Sequence, residues 1–126
     1  HDDDKTFSCI WTEYTKDFGT FYLNYLEDIR KYSNVKGFMT KKNMPENSFP
    51  ISCIPWVSFT GFNLNINNDD DYLLPIITVG KFFTEGCTKL LPITLQVHHA
   101  VCDGYHASLF IEELQKLAHN CNHWLL

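Results

Sequence analysis

Four strand-like stretches between residues 51 and 101 limit the folds that this chain can adopt. β-Branched and aromatic side chains dominate them, and segments rich in turn-forming residues separate them. The segment TEGCT (84–88) predicts a hairpin between the last two stretches, and NNDDD (67–71) predicts a solvated turn. The sequence therefore predicts a mostly antiparallel sheet. The four stretches are ISCIPWVSF (51–59), FNLNI (62–66), LLPIITVGKFF (73–83) and KLLPITLQVHHAV (89–101).

An amphipathic helix is predicted on either side of this region. Apolar residues recur every three or four positions across 17–32, where Asp17 is placed to cap the first turn. The same spacing runs through 105–119. Residues 6–15 favour a further strand, and the polar segment 33–48 favours a surface loop. The order β-α-β-β-β-β-α predicts an α+β fold, a two-layer sandwich whose mostly antiparallel or mixed sheet has helices on one face.

Composition restricts the class of partner and the compartment. The length of 126 residues favours a single domain over 1–126, and 44% hydrophobic residues suffice for a core. A formal net charge of −5 argues against nucleic acid or an anionic membrane as partner. No apolar run approaches the roughly 20 residues of a membrane span, and no signal-peptide pattern opens the chain. The five cysteines include no C-x-x-C pair, which favours reduced thiols in a cytoplasmic protein.

The motif QVHHAVCDGYH (96–106) concentrates the residues that can carry chemistry. On a strand, the adjacent His98 and His99 point to opposite faces, which disfavours a zinc site because zinc needs convergent ligands. One histidine can act as a general base near neutral pH, or the cluster can simply end a strand with satisfied polar groups. Cys102, beside Asp103, is an alternative candidate as a cysteine nucleophile, although free cysteines are more often small buried residues.

The H-H-x-x-x-D-G core and the C-D-G-[FY]-H ending of this motif resemble the active-site signature of the chloramphenicol acetyltransferase family. The short core also occurs in dihydrolipoyl acyltransferases and condensation domains, whereas the extended form is more specific. The resemblance covers the whole chain except the final CNHWLL. Further blocks that resemble the family, in its order, are TFSCIWTEY, PENSFPISCIPWVSF, FNLNI, YLLPIITVGKFF and FIEELQKL.

The resemblance implies an antibiotic-resistance enzyme that transfers acetyl from acetyl-CoA to the primary hydroxyl of chloramphenicol, without a metal. By position, His99 matches the general base that deprotonates this hydroxyl. Ser52 matches the serine that stabilises the tetrahedral oxyanion, and Thr78 matches a threonine that holds a water against the same transition state. Asp103 matches a structural aspartate that pairs with an arginine nearer the N-terminus of the family.

The resemblance also assigns apolar side chains to the two ligands, although each fits a hydrophobic core equally well as a bare pattern. Family positions that flank the coenzyme tunnel match Trp56 and Phe82. The apolar wall that suits the nitrophenyl group of the antibiotic matches Phe7, Phe62, Leu64 and Ile76.

Family members are homotrimers with active sites at subunit interfaces, and they begin roughly 90–100 residues upstream of this sequence, more than ordinary terminal variation. The chain is thus expected to correspond to the C-terminal part of such an enzyme. Without its arginine, a dry Asp103 would cost about 3–5 kcal/mol, so we expect rearrangement, hydration or a companion segment. The alternatives are a weakly active or inactive fragment that folds, oligomerises or binds ligand, and an acyltransferase with another acceptor.

Overall fold

The described residues, which are 1, 3–64 and 72–125 of a computed structural model, contain helices and short strands and so have an α+β fold. They divide into two units, His1–Ser48 with Lys116–Leu126, and Phe49–Gln115. In chain order the elements are α1 (Phe18–Tyr32), β1 (Ile51–Ile54), β2 (Ile76–Gly80), β3 (Phe83–Glu85), β4 (Thr88–Leu90), β5 (Ile93–Gln96), α2 (Gly104–His119) and a 3-10 turn (Cys121–His123).

Both predicted amphipathic helices are confirmed, and each begins and ends within one residue of its predicted bounds. The Asp17 carboxylate accepts a 2.7 Å hydrogen bond from the Thr20 backbone N–H, which satisfies one of the free donors of the first turn of α1. Arg30 and Lys31 lie in the last turn, where positive charge favours the helix dipole. Within the described ranges, neither helix has the length and apolar character needed to cross a membrane.

A buried ion pair ties α1 to the loop that follows it. The Lys41 ammonium donates to both carboxylate oxygens of Asp28, at 2.7 and 2.8 Å, and lies 4.0 Å from the centroid of the Trp11 ring. The Thr12 hydroxyl donates to the same carboxylate at 2.9 Å. Because the Asp28 residue is only 8% exposed, its charge depends on these partners for stability.

The strand predicted over residues 6–15 is wrong. In the described chain this segment forms one isolated bridge, Cys9 to Met39, instead of a ladder. Its other anchors to the loop come from side chains: the Ser8 hydroxyl donates to the Val35 carbonyl, and the Trp11 indole N–H donates to the Lys42 carbonyl at 3.1 Å. The β-branched pattern was present, but the neighbouring segment supplies no regular row of backbone partners.

The sheet of the second unit has the order β1-β2-β5, with β1 parallel to β2 and β2 antiparallel to β5. The sheet is therefore mixed. The predicted stretch 89–101 is divided into β4 and β5 around Pro92, whose carbonyl accepts from the Gly80 N–H at 2.9 Å. Within the predicted strand 62–66, residues 62–64 are irregular, while 65–66 and the predicted turn 67–71 lie outside the described residues.

The predicted hairpin is confirmed. β3 and β4 pair antiparallel, with Glu85 opposite Thr88, so that Gly86 and Cys87 form a two-residue turn. Gly86 has a φ of +59°, which a glycine adopts without a Cβ penalty. A glycine with positive φ at the first of two turn residues fits a type II′ turn, whose twist matches that of the strands.

The ion pair of the first unit gives a stability prediction. We expect Lys41→Met to lower the free energy of unfolding by about 3–5 kcal/mol, because it leaves the Asp28 charge buried without its cation. Lys42→Met is the matched control, since the Lys42 side chain is exposed, and it is expected to change stability by less than about 0.5 kcal/mol. Urea unfolding measures both, and equal effects of the two variants would contradict a specific role for the pair.

Candidate active site

A row of three hydroxyls crosses the sheet of the second unit. Ser52 of β1 pairs with Thr78 of β2, and Thr78 pairs with Thr94 of β5. Paired residues on adjacent strands project to the same face, and neighbouring strands lie about 4.8 Å apart. In the described part of the chain, none of these three side chains makes a hydrogen bond. We name Ser52, Thr78 and Thr94 the hydroxyl row; among the described residues, these hydroxyls are not committed to a protein partner.

Burial differs along this row. Thr78 is 2% exposed and lies on the central strand, whereas Ser52 is exposed on the edge strand β1. Sequence reasoning selected Ser52 and Thr78 but missed Thr94. The alternation in PITLQ places Thr94 and Gln96 on one face of a strand, but the residue opposite Thr94 depends on register, which the alternation does not give.

Residues 59–64, which we name the covering segment, lie over the face that carries Thr78. At one end the Phe59 ring is so close to Gly80 that a Cβ on Gly80 would lie 2.7 Å from Phe59 Cε1. At the other end the Leu64 backbone is bound by Gln96: the Leu64 N–H donates to Oε1 at 3.1 Å, and Nε2 donates to the Leu64 carbonyl at 3.0 Å. Gly80 and Gln96 thus mark the two ends of the covered face.

Three residues expected in an apolar wall, Phe62, Leu64 and Ile76, belong to the covering segment or to the strand face beneath it. The Phe62 ring lies 5.5 Å, centroid to centroid, from the Phe59 ring, and Leu64 is held by Gln96. Ile76 is 6% exposed on the covered face of β2, directly opposite Gln96. Phe62, Leu64 and Ile76 therefore lie on the same side of the sheet as Thr78, as an apolar lining beside the hydroxyl row requires.

The other expected binding residues are Trp56, Phe82 and Phe7. Trp56 and Phe82 belong to the second unit but are 80% and 58% exposed, and the Lys89 ammonium lies 5.9 Å from the Phe82 ring. Phe7 belongs to the first unit, where its ring packs edge-on against Phe38 at 6.2 Å. Their assignment to ligands remains a prediction.

The two adjacent histidines lie in a turn, so the expectation that a strand carries them on opposite faces is wrong. β5 ends at Gln96, and the His98 carbonyl accepts from the N–H groups of Val101 and Cys102, both at 3.1 Å. The His98 ring does not face a packing layer; it is exposed, and its Nδ1 accepts from the Ala100 N–H at 3.1 Å. That bond leaves the proton of a neutral His98 ring on Nε2.

His99 is exposed in the same turn. Within residues 3–64 and 72–125, no group hydrogen-bonds its ring, and no hydrogen bond joins it to Ser52 or Thr78. The imidazole is therefore accessible, and no described residue selects its tautomer. Among the described residues, no three His, Cys, Asp or Glu side chains converge as metal ligands.

Asp103 caps α2 at the surface, in line with the hydration that was one of the expectations for its charge. Its Oδ1 accepts from the His106 backbone N–H at 3.0 Å, and the His106 ring Nδ1 lies 2.7 Å from the same oxygen. The side chain is 57% exposed, so water also reaches the charge. The His106 backbone N–H, followed by the His106 ring, holds the pKa of Asp103 below its ordinary value.

Comparison with known proteins identifies the family. The profile of the chloramphenicol acetyltransferase family matches residues 1–115, and the chain belongs to that family. A chloramphenicol acetyltransferase from Clostridium perfringens is 59% identical over 125 residues, which are 99% of this chain and 57% of the relative. Relatives with the same name from Clostridium butyricum and Staphylococcus aureus are 55% and 57% identical, over 99% and 97% of this chain and 57% and 56% of their own. The chain thus spans a little over half the length of these relatives.

The cap on α2 predicts a pH dependence. Because the pKa of Asp103 is lower in the folded chain than the ordinary value of about 3.9, its charge stabilises α2 above that value, and the contribution is lost as the pH falls through the folded pKa. We therefore expect Asp103→Asn to lower the melting temperature at pH 7, and this deficit to disappear as the pH falls below the folded pKa of Asp103.

The control for this prediction is Glu46→Gln, which removes an exposed carboxylate with no described hydrogen-bond partner. Its melting temperature is expected to follow that of the unsubstituted chain from pH 7 to about pH 3. A deficit of Asp103→Asn that persists undiminished at pH 2 would show that the carboxylate charge is not its source.

Proposed function

We propose that this protein takes part in the O-acetylation of chloramphenicol by acetyl-CoA. The observation that carries the proposal is the pairing of Ser52 with Thr78 beside an apolar lining, in a chain 59% identical to a chloramphenicol acetyltransferase. Antibiotic resistance is the consequence, because the acetylated hydroxyl is no longer available to the drug's target.

In the proposed reaction, His99 is the general base. Its imidazole takes the proton of the primary hydroxyl, whose oxygen attacks the thioester carbonyl of acetyl-CoA. Collapse of the tetrahedral intermediate breaks the carbon–sulfur bond, and the CoA thiolate takes the proton back from the imidazolium. The products are the O-acetyl drug and free CoA, so no acyl-enzyme and no metal are needed.

The hydroxyl row supplies stabilisation in this proposal. Ser52 donates to the oxyanion that develops on the thioester oxygen, and Thr78 holds a water against the same intermediate. Within the described residues neither hydroxyl has a hydrogen-bond partner, which supports these roles. Phe62, Leu64 and Ile76 contact the nitrophenyl ring, and Trp56 and Phe82 flank acetyl-CoA, with Phe7 as a further contact to the drug.

The wider architecture forms part of the same proposal. Residues 1–126 correspond to the C-terminal part of one domain, a two-layer sandwich in a cytoplasmic homotrimer with active sites at subunit interfaces. Nucleic acid and membranes are not among its partners. Large apolar side chains at the surface support further packing partners, since Trp56, Ile51 and Phe82 are 80%, 65% and 58% exposed.

An inactive module that folds or binds ligand is the second candidate. The observation that favours it is the absence of any described partner that fixes the His99 ring. A base whose tautomer and orientation are not fixed is a poor proton acceptor, because proton transfer depends on geometry. The two candidates differ in turnover, which a thiol assay measures directly.

The first prediction is drug-dependent release of CoA thiol, lost in His99→Ala. We expect release in a chimera that joins this chain to the part of the Clostridium perfringens relative that it does not cover, and we compare it with the 126-residue chain alone. His123→Ala is the control, because it removes another exposed histidine. Near-full turnover by His99→Ala would exclude His99 as the base. A folded chimera that releases no CoA thiol would favour the second candidate, the inactive module.

The second prediction concerns the oxyanion. In the protein that shows turnover, Ser52→Ala is expected to lower kcat by roughly 10²–10³, the usual effect of removing one oxyanion donor. Ser58→Ala, an exposed serine without a described hydrogen bond, serves as the control and should retain kcat. A change confined to KM would assign Ser52 to substrate binding alone.

A further inference from the structure

Gln96 opens the histidine motif, yet the proposed chemistry gives it no role. It is the last residue of β5 and lies directly opposite Ile76 of β2. Its side chain makes two hydrogen bonds with one residue 32 positions earlier, accepting from the Leu64 N–H at 3.1 Å and donating to the Leu64 carbonyl at 3.0 Å.

These two bonds imitate a strand neighbour. A backbone residue within a ladder exchanges both its N–H and its carbonyl with an adjacent strand. Here a carboxamide satisfies both groups of Leu64, so residues 62–64 gain a fixed position beside β5 without being a strand. A carboxamide can do this because it has a donor and an acceptor on one planar group.

The other end of the covering segment is fixed independently. The Lys81 N–H donates to the Val57 carbonyl at 2.8 Å, and the Phe59 ring lies against Gly80. The covering segment is thus held at Phe59, just after the bonded Val57, on one side and at Leu64 on the other. Phe62 lies between these points, and its position depends on both.

We propose that Gln96 is a positioning residue for the aromatic acceptor, because its carboxamide holds the apolar lining of Phe62 and Leu64 over the face that carries Thr78. The inference rests on the proposed acetyltransferase function and names the part of the substrate that Gln96 serves. Its hydrogen bonds go to Leu64 and not to the hydroxyl row, so its loss displaces the lining and leaves the oxyanion donors in place.

The kinetic test is Gln96→Met, which keeps the length of the side chain and removes both hydrogen bonds. In the chimera, the KM for chloramphenicol is expected to rise about five- to thirty-fold, as the loss of two neutral hydrogen bonds allows. The KM for acetyl-CoA and kcat are expected to change less than about threefold. Asn63→Ala is the control, because Asn63 is exposed in the same segment and makes no described hydrogen bond.

A second readout does not depend on activity. Hydrogen exchange at the Leu64 amide should accelerate in Gln96→Met and not in Asn63→Ala, with the amides of the β3–β4 hairpin unchanged as an internal reference. Faster exchange together with the selective rise in chloramphenicol KM supports the proposal.

The failures are distinguishable. Unchanged hydrogen exchange at the Leu64 amide would show that Gln96 does not hold the covering segment. Faster exchange with an unchanged chloramphenicol KM, or with an equal rise in the KM for acetyl-CoA, overturns the role in positioning the acceptor. Absence of acetylation by the unsubstituted chimera overturns the proposed function and with it the role in drug binding, while exchange at Leu64 still decides whether Gln96 holds the segment.

Discussion

The arrangement of the candidate site depends on β2, which pairs with a parallel strand on one side and an antiparallel strand on the other. Its parallel pairing with β1 brings Ser52 beside Thr78, and its antiparallel pairing with β5 brings Gln96 beside Ile76. A shift of either register by one residue would turn one of these side chains to the opposite face. The hydroxyl row and the attachment of the covering segment therefore depend on the same three strands.

Much of the secondary structure could be predicted from the sequence because it is local. The spacing of apolar residues predicted both helices, Asp17 predicted the first cap, and the segment TEGCT between two strand-like stretches predicted the hairpin. Residues 6–15 have the composition of a strand, but a strand also needs a partner with regular free backbone groups, and the facing loop offers one bridge. The composition of residues 6–15 could not show that such a partner is missing.

In the candidate site too, residue types could be predicted from the sequence, whereas contacts between distant residues could not. The resemblance to a family selected Ser52 and Thr78, and the register shows them to be neighbours. The strand assumed for the two histidines ended earlier than expected, because hydrogen bonds to the His98 carbonyl form a turn. The resemblance pairs Asp103 with a distant arginine, and the structure adds His106, three positions along the chain, as a local partner. Thr94 and Gln96 acquire importance only through contacts that no sequence pattern specifies.

The position of β1 affects how the protein behaves at high concentration. Within the described residues, β1 pairs on one side only, and Ile51 and Cys53 are exposed along it. A free strand edge with exposed apolar side chains is a template for pairing with another chain. Samples in which this edge stays uncovered will tend to form intermolecular β-structure, and Cys53 adds a thiol that oxidation can cross-link. Solubility should therefore depend on protein concentration and on reducing agent.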